Sequence, residues 1–67
     1  MFEVDARGLS CPEPLMMTRN ALKKESGSVK VLVDDAIARS NIEKFVKKEG
    51  RKLTVNENGS EFELIIE

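Results

Sequence analysis

Pro12 and Pro14 stand one residue apart in the run Gly8-Leu9-Ser10-Cys11-Pro12-Glu13-Pro14-Leu15. Each lacks an amide donor and has a fixed φ, so neither is tolerated inside a helix or a central strand. The regular setting that accepts both is the first turn of an α-helix, whose amides have no intrahelical partner in any case. Downstream residues fit that setting. Leu15, Thr18, Ala21 and Leu22 fall on one face at helical spacing, and Ser26-Gly27 ends the run, which predicts a helix from Pro12 to about Lys24. With Pro12 as its first residue, Cys11 is the expected N-cap.

Around this helix the other elements follow from periodicity. Phe2-Glu3-Val4-Asp5 alternates as a half-buried strand does, and Arg7 to Ser10 turns the chain toward the prolines. Val29, Val31 and Val33 alternate with Lys30 and Leu32, a β-branched run suited to a central strand with apolar surroundings on both faces. Ser40-Asn41-Ile42-Glu43 has the S-x-x-E form of a capping box, which predicts a second helix carrying Ile42, Phe45 and Val46 and stopping at Gly50; Asp34 to Arg39 would add at most an irregular turn. Leu53-Thr54-Val55 and Phe62 to Ile66 flank a hairpin in which Asn58-Gly59 supplies the positive φ angles. The order βαβαββ packs most simply as an α+β two-layer sandwich, both helices on one face of one sheet.

Composition narrows the chemistry. A 67-residue chain has room for one domain, residues 1–67, around a thin core. One cysteine and no histidine exclude an intramolecular disulfide, a histidine-bearing zinc site and every Ser-His or Cys-His mechanism. Covalent chemistry, if there is any, runs on Cys11. A net charge of −1 argues against a strongly cationic nucleic-acid binder. The start MFEVDAR lacks the basic and apolar regions of a secretory signal, and no apolar run reaches spanning length, so the expectation is a cytoplasmic protein with a free, reduced thiol.

An N-cap side chain faces the unpaired amides of the first turn, and the positive end of the helix dipole favours an anion there, such as a thiolate or a persulfide. With prolines at 12 and 14, the expected donors to the sulfur are the amides of Glu13 and Leu15. Arg7 is close enough in sequence to assist. Arg19, eight residues along the helix and about 12 Å away, belongs to the surface instead. A free cysteine is also an ordinary buried cap, a reading in which it has no function. The proline pair, which constrains residue 11, favours the reactive thiol.

Asp5-Ala6-Arg7-Gly8-Leu9-Ser10-Cys11-Pro12-Glu13-Pro14-Leu15-Met16-Met17-Thr18-Arg19 resembles the signature of the TusA/SirA-like sulfur-carrier family with its Cys-Pro-x-Pro motif, and the likeness continues through Val31 to Asp35 and Asn41-Ile42. The resemblance implies a four-stranded mixed sheet with two helices on one face. It also implies a Cys11 that accepts sulfane sulfur from a cysteine desulfurase and relays it, as a persulfide, to an acceptor protein, with no cofactor or metal. The segment from Val33 to Phe45 is similar to the YedF-like branch, linked to sulfur or selenium metabolism. A thioredoxin-like role would want a second cysteine where Glu13-Pro14 stands.

Met16 falls opposite the apolar face of the first helix, exposed beside Cys11; with Arg7 and Arg19 it is a candidate docking residue, although a single exposed apolar side chain is also ordinary. Asp34 and Asp35 are suited to turn and capping duty rather than to a metal. Lys44, Lys47, Lys48, Arg51 and Lys52 form a basic run that reads as a solvated face, or as a patch for an acidic partner or RNA. The rival functional reading, a non-catalytic regulatory or RNA-binding module, lacks a stacking platform, because Phe2, Phe45 and Phe62 all fit the core pattern.

Overall fold

The computed structural model describes residues 1–67. The expected six elements form in the order β1 (Phe2–Asp5), α1 (Glu13–Lys24), β2 (Val29–Val33), α2 (Ala36–Lys48), β3 (Leu53–Asn58) and β4 (Glu61–Ile66). The sheet order is β1-β2-β4-β3. β1 runs parallel to β2, and β4 lies antiparallel between β2 and β3, which makes the sheet mixed.

Register assigns the faces. Val4, Val31 and Leu64 stand in one row across the sheet and Val29 and Ile66 in the next, and all five are buried. Both helices cover this face and touch each other. They contribute Pro14, Thr18 and Ala21 from α1 and Ala38, Ile42 and Val46 from α2. Thr18 is the one polar side chain in that core, and its hydroxyl donates to the Pro14 carbonyl at 2.8 Å, so the buried hydroxyl is paired.

Three local expectations need correction. β2 does not have apolar surroundings on both faces: on the open face the Lys30 ammonium bridges Glu3 at 3.1 Å and Glu63 at 3.5 Å. α2 starts well before the Ser40 box, because Asp35 takes the N-cap and accepts from the Ile37 amide at 3.4 Å. Ala36 to Arg39 then wind helically, burying Ala38 one turn before Ile42, while Glu43 pairs with Arg39 at 3.5 Å across one turn. The hairpin turn is Gly59-Ser60, closed by the Asn58–Glu61 pair. Only Gly59 has positive φ, +66°, the pattern of a type II′ turn with glycine first, and Asn58 remains in the strand.

Phe2 also departs from its expected core position: it lies on the edge strand and is 42% exposed. Phe45 and Phe62 do pack against the core from its rim. The Arg39 guanidinium sits 4.8 Å from the Phe62 ring centroid, joining α2 to the hairpin. No helix is long and apolar enough to cross a membrane.

Candidate functional site

The loop between β1 and α1 is anchored before it reaches Cys11. Ala6 is fully buried and its amide donates to Leu32 at 2.8 Å. Arg7 grips Asp5 with two side-chain bonds of 2.9 and 2.8 Å and reaches Glu61 at 3.4 Å. Those bonds, with one from the Arg7 backbone amide, lower the Asp5 carboxyl to about 2, and the same contact raises the Arg7 guanidinium. Arg7 therefore does not stand free beside the thiol; its charge is already paired.

Gly8 has φ +79° and donates its amide to both oxygens of Asp34, each at 3.0 Å. A left-handed residue is natural for glycine, and the carboxylate at the end of β2 holds the turn in place. Leu9 then packs against the core.

The start of α1 differs from expectation by one residue. Pro12, not Cys11, is the N-cap, with φ −95° and ψ 6°, and no side chain caps the helix. Pro14 lies in the first turn and is buried, and the Cys11–Pro12 peptide is cis. The Glu13 amide, one of the two expected donors to sulfur, instead bonds the Ser10 carbonyl at 3.2 Å. The Met16 amide bonds Pro12 at 3.0 Å, which leaves the Leu15 amide as the free donor of the turn.

Cys11 is half-buried, its side chain packed against the core rim. Its sulfur meets a donor the sequence reading did not include: Asn41 Nδ2 on α2, at 2.6 Å from Sγ. In the sequence Asn41 stands in a capping box that does not form and in the Asn41-Ile42 stretch of the family likeness, and neither assigns it to the sulfur. Its signal was its position, a polar residue directly before the buried Ile42 on the α2 edge that faces α1.

Met16 is 46% exposed, in line with its place opposite the apolar face, and Glu13 and Arg19 are exposed as well. Ile37, 66% exposed, stands one helical turn before Asn41 and was not singled out in the sequence. Asp34 and Asp35 serve the Gly8 turn and the α2 cap.

Residues 2–67 match the family model described as Sulfurtransferase TusA. A protein of Archaeoglobus fulgidus is 44% identical over 55 residues, covering 79% of this chain and 71% of that protein. The sulfur carrier protein TusA of Pseudomonas aeruginosa is 40% identical over 52 residues, covering 75% of this chain and 66% of its own length. The chain thus aligns with about two thirds of the length of these relatives. In three dimensions, the crystal structure of a SirA-like protein from Desulfitobacterium hafniense superposes with a TM-score of 0.90 at 31% identity, over 98% of this chain and 95% of that one.

Proposed function

Because the chain belongs to the TusA/SirA-like family, we propose that it is a sulfur carrier that takes sulfane sulfur onto Cys11 and relays it to an acceptor protein. The observation that carries this reading is the single thiol, partly exposed at the head of α1 and met by a neutral hydrogen-bond donor. No second cysteine is present to resolve a persulfide as an intramolecular disulfide.

In the loading step the Cys11 thiolate attacks the terminal sulfur of a donor cysteine persulfide. The donor S–S bond breaks, a new S–S bond forms at Cys11 Sγ, and the electron pair leaves on the donor thiolate, with no net oxidation. Discharge is the same exchange in reverse roles: an acceptor thiolate takes the outer sulfur and Cys11 Sγ leaves as a thiolate. Pro12, Glu13, Pro14 and Leu15 form the turn that holds the carrier sulfur, and the free Leu15 amide is available to an anion there.

The donor in this reading is a cysteine desulfurase in the cytoplasm. Arg7, Met16 and Arg19, together with the exposed Ile37, are the candidate docking residues in this reading. Incubation with a cysteine desulfurase, cysteine and pyridoxal phosphate tests the proposal by intact mass. The expected result is a gain of about 32 Da, one sulfur, that is absent in Cys11→Ser and removed by a reductant. An unmodified wild-type chain under conditions that load a known carrier overturns it.

A further inference from the structure

In a sulfur carrier the same atom is nucleophile in one step and leaving group in the next, so whatever touches that atom bears on both. Asn41 Nδ2 is the polar side-chain atom bonded to Cys11 Sγ. We propose that Asn41 is the positioning residue of the carrier sulfur, donating a hydrogen bond to Sγ that favours its anionic form and sets the direction in which a second sulfur extends. The contact stands on geometry alone; its consequence for transfer rests on the persulfide reading above.

The setting leaves few substitutes for this donor. Pro12 and Pro14 have no amide hydrogen, the Glu13 amide is taken by Ser10, and the Arg7 guanidinium is held by Asp5 and Glu61. Only the Leu15 amide remains free in the first turn of α1. Asn41 is also fixed where it is needed. Ile42, the next residue, is fully buried, and Asp35 caps the helix on which both stand. Asn41 itself is half-buried, so its amide is partly shielded from water that would compete for the sulfur.

The residue type matters as much as the place. A primary amide presents N–H donors and a carbonyl acceptor on one short side chain; it can donate to a thiolate and, turned over, accept from a thiol. Ionised aspartate has the same shape and only acceptors, so it would hold the sulfur protonated. With Sγ bonded to Cβ and engaged by Asn41 on the α2 side, the outer sulfur of a persulfide points away from α2.

The two chemical steps should respond unequally. A hydrogen bond to an attacking thiolate raises its population and lowers its intrinsic nucleophilicity, and the two effects partly cancel; for a departing thiolate the stabilisation is all gain. Loss of the Asn41 donor therefore slows discharge more than loading.

Purified wild type, Asn41→Asp and Asn41→Ala are compared in two measurements. In the first, Cys11 alkylation by iodoacetamide at neutral pH is followed by intact mass, together with the ultraviolet thiolate band. Asn41→Asp is expected to slow alkylation roughly tenfold and weaken the band, and Asn41→Ala to slow it by roughly threefold, as the loss of a hydrogen bond to an anion predicts. A packing role would lower the melting temperature instead and spare the isosteric aspartate. In the second, chains loaded by a cysteine desulfurase are discharged to a small thiol, and Asn41→Ala is expected to lower the discharge rate by a larger factor than the loading rate.

Wild-type alkylation and band strength in both variants overturn the proposal, as does an equal slowing of both steps in Asn41→Ala. If Asn41→Asp does not fold, Asn41→Ala decides alone. Failure of the wild type to acquire sulfur removes the persulfide reading and leaves the alkylation contrast standing; normal loading with no Asn41 effect removes the positioning role and leaves the carrier.

Discussion

Both carboxylate oxygens of Asp34 lie 3.0 Å from the Gly8 amide nitrogen, so the end of β2 holds the loop that delivers Cys11 to the head of α1. Asp34→Ala removes that anchor and is expected to cost about 1 kcal/mol in urea unfolding, with faster exchange of the Gly8 amide proton. Asp34→Asn keeps an acceptor and should lose less. Gly8→Ala meets no atom within 4 Å, so its cost, about 1–2 kcal/mol, comes from the backbone at φ +79° alone. Unchanged exchange at Gly8 in Asp34→Ala would show that the loop is held by other contacts.

The cap of α2 separates two readings of one segment. Asp35 accepts the Ile37 amide, so Asp35→Ala is expected to destabilise by about 1 kcal/mol. Ser40 lies inside the helix and is not its cap; Ser40→Ala should stay within about 0.5 kcal/mol of wild type. Denaturant midpoints of the two variants, reversed in order, would restore the capping box.

Asp5 gives the fold an acid-sensitive contact. Its carboxyl is lowered to about 2 by the Arg7 side-chain and backbone hydrogen bonds. A depressed folded-state value means that the contribution is fully present above the unfolded value of about 3.9 and disappears as pH falls toward 2. Asp5→Asn should therefore be less stable than wild type at neutral pH, with the gap closing between about pH 4 and pH 2. Melting curves across that interval check the sign; a gap that persists at the acid end would mean that Asp5 acts through shape and not charge.

Most of the fold was legible because each element has a period of its own. The valines of β2 alternate, the α1 stripe repeats at helical spacing, and two prolines locate the helix start to within one residue. Boundaries were less legible where two local chemistries competed. Asp35 and Ser40 are both good caps, and the choice was made by Ala38, a small residue that fits against the core when the helix begins early. Asn58 and Ser60 are both good turn neighbours for Gly59, and the β3–β4 register decides between them. Within the site, Cys11 and its proline turn were legible because they are contiguous in the chain. Asn41 was not, because its relation to Cys11 spans 30 residues and exists only once α1 and α2 pack together.

That dependence on packing yields a final prediction. Ile42 is fully buried beside Asn41 in a chain with 13 buried residues of 67, so little of the core can compensate for a cavity there. Ile42→Val removes one methylene and is expected to cost about 1 kcal/mol, whereas Ile42→Ala costs about 2–5 kcal/mol, comparable with the whole stability of a small domain. The first variant should fold with Cys11 alkylation near the wild-type rate, since the helix that carries Asn41 keeps its seat. The second should lose its cooperative unfolding transition, and its cysteine should react as a thiol in an unfolded peptide does. A cooperative melt of Ile42→Ala within a few degrees of wild type would mean that the α2 contact is not what orders Asn41 against the sulfur.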